Sequence, residues 1–201
     1  MNDVVENLVK AYRKVHNTEG YIPLHPPVFR GEEKKYLLDC IESTFVSSVG
    51  KYVDDFQSAL AEYCGAKYAL ATVNGTAALH LSLLINDIGM GDEVICPDVT
   101  FAATAAAIVY TGADPIFLDI DEETLGLSAE KVEAFLEHNT REINGKRINK
   151  VTGKHVKACM AMHNIGFSVE IDSLEKICLR YNLLLIEDAA EALGSLIGNK
   201  M

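Results

Sequence analysis

The sequence has 201 residues, of which 49% are hydrophobic and 23% charged. This balance is typical of a globular protein with one good core and excludes a disordered or coiled-coil chain. Its 29 acidic and 18 basic residues give a net charge of −11. Nucleic acid and anionic membrane surfaces carry charge of the same sign, so we expect neither as a partner.

The five cysteines are odd in number, widely spaced and contain no C-x-x-C pair. This pattern predicts neither a disulfide framework nor a zinc site. The first residues, "MNDVVENLVKAYRKVHN", are charged throughout and lack the apolar core of a signal peptide, and no later apolar run approaches membrane-spanning length. We therefore expect a soluble protein of the reducing cytoplasm.

Residues 1–66 are predicted to form an N-terminal helical and extended segment. It contains a helix, the proline-marked stretch "YIPLHPPVF", and two further helical patterns, "GEEKKYLLDCIES" and "VDDFQSALAEYC". We expect this segment to pack beside a main domain made of residues 67–201.

From residue 67 onward, short apolar runs alternate with helical patterns, which is the order that builds a mostly parallel sheet covered by helices on both faces. The nearly continuous apolar character of the runs suits strands buried on both faces. The expected fold class is therefore α/β, in three αβα layers. The predicted strands are 67–73, 93–97, 115–120, 156–162 and 183–188. The predicted helices are 76–86, 101–110, 128–138 (with Ser128 as N-cap) and 170–181.

Residues 139–157 are a basic segment in an otherwise acidic chain. Asn144-Gly145 and Thr152-Gly153 are turn signals, which favour a solvated hairpin. Contact with a phosphate group is the alternative interpretation. The basic residues are Arg141, Lys146, Arg147, Lys150, Lys154 and Lys157.

Ligands of open α/β sheets bind beyond the carboxyl ends of the strands, so the residues that follow each predicted strand are candidates for a site. Asn74 and Gly75 permit a tight turn after the first predicted strand, and Thr76 lies where a helix begins. Free N–H groups at a helix N-terminus beside a hydroxyl can bind an anion, most often phosphate. The alternative is that Thr76 is a plain N-cap.

Two further strand ends carry candidate residues. Phe101 stands at a predicted helix start, where an aromatic ring can stack on a flat ligand or pack in the core. The last strand, "LLLIED", ends in Asp188, which has no basic neighbour in sequence. A buried carboxylate is costly unless it meets a cation or strong donors, so we expect a cation on the ligand. Glu191 either reaches the same ligand or faces solvent.

A phosphate anchor, a flat ring and an acid for a protonated ring nitrogen together predict pyridoxal 5'-phosphate (PLP) as the cofactor. The protonated pyridine ring of PLP withdraws electrons from the α-carbon of an amino acid. The sequence alone therefore favours an enzyme of amino-group chemistry.

Other patterns have different interpretations. "GMGDEV" precedes a strand and lacks a third glycine, so it predicts a turn and not a dinucleotide loop. Asp119 and Asp121 follow an apolar strand and resemble the metal-binding acid pair of nucleotide-sugar glycosyltransferases. A metal-dependent glycosyltransferase is therefore an alternative function. His163 ends a predicted strand and could line the pocket, but the six histidines show no metal-ligand spacing.

Several ordered motifs resemble the DegT-type family of PLP-dependent nucleotide-sugar aminotransferases. They are "NGTAALHLSLL", "GDEVICPDVTFAATAAAIVYTGADPIFLDIDEETLGLS" and "IEDAAEALGS". "IPLHPPVFRGEEKKYLLDCIESTFVSSVGKYVDDF" and "VEIDSLEKICLRYNLLLIEDAAEALGS" are similar to its LegC-like branch. The resemblance covers nearly the whole chain and implies the large domain of a fold-type-I PLP-dependent transferase, incomplete in these residues.

The resemblance implies a homodimeric enzyme of polysaccharide biosynthesis. Its implied reaction moves an amino group from glutamate to a 4-keto-6-deoxy nucleotide-linked N-acetylhexosamine. The residues implied to contact PLP are Gly75, Thr76 and Ala77 in the phosphate loop, Phe101 as the ring-stacking aromatic, Asp188 as the partner of the pyridinium, and Glu191, which stands where many relatives have glutamine.

Two departures from the family pattern matter. Phe167 stands where LegC-like sequences commonly have histidine, which bears on the substrate. The family's Schiff-base lysine and phosphate-binding serine belong to a segment after "EALGS" that these residues do not include, and Lys200 does not match the lysine motif. Without that lysine we expect the chain alone not to transaminate, and we interpret it as the N-terminal part of an aminotransferase. A non-catalytic product that only associates with partner subunits is the alternative.

Overall fold

The computed structural model describes residues 2–23 and 26–198. Leu24 and His25 of the proline-marked stretch, and Lys200, lie outside the described residues. Contacts divide the chain into two compact units, Met1–Val53 and Asp54–Met201. The role of residues 1–66 as a separate segment beside the main domain stays a prediction.

Three helices are present where the N-terminal patterns predicted them. They are α1 (Asn2–His16), α2 (Glu33–Glu42) and α3 (Lys51–Tyr63), the last of which begins in the first unit and continues into the second. Within the first unit, the Tyr52 hydroxyl donates a hydrogen bond to Asp39 Oδ2 at 2.8 Å. This bond raises the pKa of Tyr52 to about 12, because a phenolate could not donate it and would lie beside a carboxylate.

Beyond α3, the described part of the second unit contains a six-stranded sheet and four α-helices. Its strands are β1 (Asp92–Pro97), β2 (Asp114–Leu118), β3 (Thr140–Ile143), β4 (Lys146–Asn149), β5 (His155–Met162) and β6 (Leu184–Asp188). Its helices are α4 (Gly75–Leu84), α5 (Ala102–Tyr110), α6 (Ala129–Asn139) and α7 (Ile171–Tyr181).

Four strands are parallel, in the spatial order β2-β1-β5-β6. The antiparallel hairpin β3–β4 joins the start of β5 through Ile148 and His155. β1 and β5 lie inside the sheet and are buried along most of their length, as their apolar runs predicted. β2 and β6 have one paired edge each among the described residues and are only partly buried.

Helices cover both faces of the sheet, which confirms the predicted αβα layers. On one face, α4 and α5 pack on β1 and β5 in a core made of Leu79, Leu83, Ala107, Ile108, Val94, Cys96, Ala158 and Met160. On the other face, α6 and α7 pack in a core that includes Val132, Leu136, Leu174, Ile177, Ile95, Val156, Cys159 and Ala161. Ile186 packs on the α4/α5 side, and alternation places Asp188 on the same side.

One predicted strand is wrong. Residues 67–73 form no strand, although their apolar character predicted one. A strand needs a paired neighbour for its backbone groups, and no described segment pairs with residues 67–73. The Ala71 N–H instead donates to the side chain of Gln57 on α3 at 2.9 Å. The apolar pattern indicated a tendency to be buried, but it contained no information about a pairing partner.

The basic segment, residues 139–157, contains the predicted hairpin, formed by β3 and β4. Asn144 and Gly145 turn it with positive φ of 52° and 76°, a conformation that asparagine and glycine tolerate best. The hairpin lies at the start of β5, whereas Asp188 lies at the end of β6. Lys150 donates to the His138 carbonyl at 2.7 Å, and Lys154 pairs with Asp114. The position of the hairpin and these internal contacts give no support to the interpretation that its basic residues contact a phosphate group.

Across the part of the chain that the structure describes, no helix combines the length and the apolar run that a bilayer crossing requires.

Candidate functional site

Asp188 is a buried carboxylate that no cation of the described residues pairs with. It ends β6 and is only 4% exposed. Its Oδ2 accepts a hydrogen bond from the Thr104 hydroxyl at 2.7 Å, and its Oδ1 accepts one from the Ala190 N–H at 3.4 Å. None of the ion pairs among residues 2–23 and 26–198 includes it. Both donors are neutral, so a cation supplied by a ligand would complete the site.

The start of α5 lies against the ends of β5 and β6. Met162 is the register partner of Asp188, and its Sδ lies 3.0 Å from the Thr100 hydroxyl and 3.3 Å from the Phe101 nitrogen. The small alanines that follow Phe101 let the helix approach the sheet, with Thr104 fully buried. Thr100, Phe101, Thr104 and Asp188 are thereby brought together at one edge of the sheet.

Phe101 precedes the first residue of α5 in an extended conformation, with φ of −68° and ψ of 139°. Its side chain is 67% exposed, so the ring does not belong to the core. The alternative of a packed core aromatic is therefore not what the structure shows. An exposed aromatic ring can stack on a flat ligand, and the role of Phe101 in such stacking stays a prediction.

The N-cap of α4 is Asn74 and not Thr76. Asn74 Oδ1 accepts a hydrogen bond from the Ala77 N–H at 2.8 Å. The backbone N–H groups of Gly75 and Thr76 make no hydrogen bond with the described residues, as expected for the first positions of a helix. These two donors remain available to an anion. α4 packs against α5, but no hydrogen bond among the described residues joins the start of α4 to Asp188.

Glu191 is exposed, and its Oε2 accepts the backbone N–H of Ile165 at 2.7 Å. Ile165 has φ of 56° and ψ of 25°, a left-handed conformation that is strained for a β-branched residue. The Ser195 hydroxyl donates to the Gly166 carbonyl at 2.8 Å. The segment after β6 thus holds the loop after β5, and contact of Glu191 with the cofactor stays a prediction.

Asn164 and His163 connect loops and strands at this end of the sheet. Asn164 is 8% exposed, and its amide donates to the carbonyls of Val99, at 3.2 Å, and Leu125. It therefore ties together the loops that follow β5, β1 and β2. His163 is also buried and contacts Glu187 on β6. The sequence offered only one signal for both residues, which is their position directly after an apolar strand.

A cavity of about 650 Å³ lies on the α6/α7 side of β6. His163 lines it, together with Asp172, Glu175 and Glu187. The expectation that His163 lines the ligand pocket beside Asp188 stays a prediction. Asp188 does not line this cavity, because its side chain faces the α4/α5 side. The cavity and the Asp188 site are therefore separate features.

The acid pair Asp119 and Asp121 stabilises a turn. Asp121 Oδ1 accepts the backbone N–H groups of Thr124, at 2.8 Å, and Glu123, at 3.1 Å. These bonds, first of all the one from Thr124, lower the pKa of the Asp121 carboxyl. Among the described residues no group of three or more acidic, histidine or cysteine side chains is placed to hold a metal ion. The geometry therefore gives no support to the glycosyltransferase interpretation.

The chain belongs to the DegT/DnrJ/EryC1/StrS aminotransferase family, whose profile it matches over residues 27–201. It is 41% identical over 174 residues to the GDP-perosamine synthase of Caulobacter vibrioides, a match that covers 87% of this chain and 43% of that protein. It is 36% identical over 179 residues to EpsN of Bacillus subtilis, described as a putative pyridoxal phosphate-dependent aminotransferase, with 89% of this chain and 44% of that protein covered.

The fold comparison agrees with the family. The X-ray structure of the aminotransferase from Psychrobacter cryohalolentis superposes with a TM-score of 0.72 at 32% identity, covering 86% of this chain and 40% of that one. Together these matches confirm the predicted family and the fold-type-I α/β class. The chain spans less than half the length of the relatives it matches, and the LegC-like branch stays a prediction.

Proposed function

We propose that these residues form the cofactor-binding part of a PLP-dependent nucleotide-sugar aminotransferase. In the proposed reaction, an amino group passes from glutamate to the keto carbon of a nucleotide-linked sugar. The acceptor proposed is a 4-keto-6-deoxy N-acetylhexosamine used in surface polysaccharide synthesis. The observation that carries the proposal is the buried Asp188 carboxylate, which has two neutral donors and no cation partner among the described residues.

The residues at the sheet edge fit PLP. When bound, PLP supplies a protonated pyridine ring that withdraws electrons from the reacting carbon. Asp188 would pair with the ring N–H, because a buried carboxylate gains most from a charged donor. The open ring of Phe101 would stack on the pyridine. The phosphate would bind the free N–H groups of Gly75 and Thr76 at the start of α4, with Ala77 held next to them by the Asn74 cap.

Glu191 is proposed to contact the ligand through its second oxygen. Oε2 is engaged by the Ile165 N–H, while Oε1 makes no hydrogen bond with the described residues. Oε1 would be the oxygen that contacts an amine of the substrate or the phenolic oxygen of PLP. In this arrangement Glu191 both holds the loop after β5 and faces the ligand.

The relatives support the class of reaction. The name of the GDP-perosamine synthase relative describes the synthesis of a nucleotide-linked amino sugar, and the EpsN description refers to pyridoxal phosphate. We extend both features to this protein, together with a homodimeric assembly and a cytoplasmic location. Phe167, which is exposed on the loop after β5, is proposed to contribute to the choice of sugar.

The test uses the full-length product of the gene that carries these residues. The protein is incubated with PLP, ¹⁵N-labelled glutamate and one of two nucleotide-linked 4-keto-6-deoxy sugars, with or without the acetamido group. Mass spectrometry is expected to find ¹⁵N in the acetamido sugar, and Asp188→Ala is expected to abolish the transfer. Label in neither sugar would overturn the aminotransferase proposal. Label only in the sugar without the acetamido group would overturn the choice of acceptor and leave the reaction class standing.

A further inference from the structure

Two threonine hydroxyls at the start of α5 form a hydrogen-bonded series that ends at the Asp188 carboxylate. The Thr104 side chain is fully buried, and its hydroxyl lies 2.7 Å from Asp188 Oδ2. The Thr100 hydroxyl lies 2.8 Å from the Thr104 oxygen. The two threonines are four residues apart, a spacing that places them on the same side of the helix start. Neither residue was assigned a role from the sequence.

While Asp188 is ionised, the two hydrogen bonds that link Thr100, Thr104 and Asp188 can form in one direction only: each hydroxyl donates toward the carboxylate. A carboxylate only accepts, whereas a hydroxyl has one proton to donate and lone pairs to accept with. The Thr104 proton is therefore committed to Asp188, which leaves the Thr104 oxygen free to accept the proton of Thr100. Met162 Sδ, 3.0 Å from the Thr100 hydroxyl, is the weaker of the two acceptors for that proton. Each bond polarises the next, so the pair acts as a stronger donor than a single hydroxyl.

The two carboxylate oxygens of Asp188 have different surroundings. Oδ2 receives the short bond from Thr104, whereas Oδ1 receives only the long bond from the Ala190 N–H at 3.4 Å. A carboxylate held at one oxygen has lost the freedom to rotate about its terminal bond. The other oxygen then points in a fixed direction and retains the capacity for a strong bond.

We propose that Thr104, supported by Thr100, is a positioning residue that engages Asp188 Oδ2 and leaves Oδ1 as the oxygen that would accept the ring N–H of PLP. This inference rests on the proposed function, because it assigns a task toward the proposed cofactor. Thr104 does not itself touch the cofactor. Its effect on PLP binding passes entirely through Asp188.

The experiment measures the dissociation constant of PLP by absorbance titration of the full-length protein and its variants. Thr104→Ser keeps the hydroxyl, and it is expected to bind PLP within about twofold of the wild type. Thr104→Ala is the matched control for Thr104→Ser, because both lack the threonine methyl group and only the serine variant has a hydroxyl. Thr104→Val keeps the shape of threonine without the hydroxyl. Both are expected to bind PLP about tenfold more weakly, because a hydrogen bond to a charged group is lost.

A double-mutant cycle separates positioning from packing. In an Asp188→Ala background the Thr104 hydroxyl has no carboxylate to hold, so Thr104→Val is expected to cause no further loss of PLP affinity. A purely structural role for Thr104 would give the same loss in both backgrounds, and that result would overturn the inference.

Two other outcomes are distinguishable. If the wild type binds PLP and the Val and Ala variants bind it equally well, the inference fails while the proposed function stands. If the wild type itself does not bind PLP, the proposed function fails and the inference with it. Should Thr104→Val not fold, the comparison of Thr104→Ser with Thr104→Ala decides the same question.

Discussion

The ring of His163 accepts a hydrogen bond at Nδ1 from the Val169 N–H, at 3.3 Å, and contacts Glu187 Oε2 through Nε2 at 3.1 Å. Because a backbone N–H always donates, Nδ1 is unprotonated and Nε2 carries the proton that Glu187 accepts. His163 follows β5 directly, and Glu187 stands immediately before Asp188. The pair therefore joins the ends of two neighbouring strands on the α6/α7 side of the sheet, opposite the side that Asp188 faces.

His163→Leu is expected to lower the free energy of unfolding by about 1–3 kcal/mol, because the buried Val169 N–H loses its acceptor. Urea denaturation of the full-length protein measures the change. His163→Asn keeps an acceptor near the position of Nδ1 and is expected to recover part of the loss. Glu187→Gln alters only a half-exposed partner and is expected to cost less than about 1 kcal/mol. Equal losses for His163→Leu and His163→Asn would contradict this account.

Asn74 permits a test that separates folding from anion binding. Asn74→Ala removes the cap of α4 and is expected to cost about 1 kcal/mol of stability, measured by urea denaturation. Asn74→Asp caps equally well, so stability is expected to stay near that of the wild type. Its negative charge would lie beside the proposed phosphate site, and PLP affinity is expected to fall by about tenfold. Unchanged PLP affinity in Asn74→Asp would argue against a phosphate at this helix start.

Gly126 lies too close to Val169 for any side chain. A Cβ at Gly126 would stand 2.4 Å from Val169 Cγ1, so Gly126→Ala is expected to cost about 1–3 kcal/mol through overpacking. The double variant Gly126→Ala with Val169→Ala removes the clashing methyl group and is expected to lose less than the sum of the two single changes. Thermal unfolding gives all three values, and strict additivity would show that the clash is not the cause.

Asp121 supplies a pH test of the turn that it stabilises. Its folded pKa lies below the usual 3.8, chiefly because the Thr124 N–H donates to the carboxylate. A lowered folded pKa contributes stability that is present above the unfolded value and is lost as the pH falls through the folded value. The wild type is therefore expected to melt at a higher temperature than Asp121→Asn at neutral pH, and this difference should shrink as the pH falls below 3.8. A difference that appeared only after Mn²⁺ was added would favour metal binding instead.

The sequence predicted most of the fold because its signals were local. The runs that became β1, β5 and β6 are apolar and bounded by polar or glycine residues, and Ser128 caps α6 as expected by accepting the Lys131 N–H. Residues 67–73 show the limit of such signals. Strand formation depends on a paired neighbour, which a local apolar pattern does not specify.

The site was predictable to a different degree at each residue. The sequence singles out Asp188 because a carboxylate at the end of a buried strand is energetically unusual, and the structure places it in the buried position expected. Thr104 was missed because a threonine in an alanine-rich helix looks like any other helix residue. Its significance comes from a contact with a residue 84 positions away. Asn164 was missed for the same reason, since both of its carbonyl partners belong to distant loops.

The central claim is that Asp188 receives a proton-bearing ring nitrogen of PLP. The most direct measurement is the ¹⁵N chemical shift of ring-labelled PLP bound to the full-length protein, which reports whether the pyridine nitrogen is protonated. We predict the shift of a protonated ring in the wild type at neutral pH and that of an unprotonated ring in Asp188→Ala. An unprotonated ring nitrogen in the wild-type protein would contradict the role assigned to Asp188.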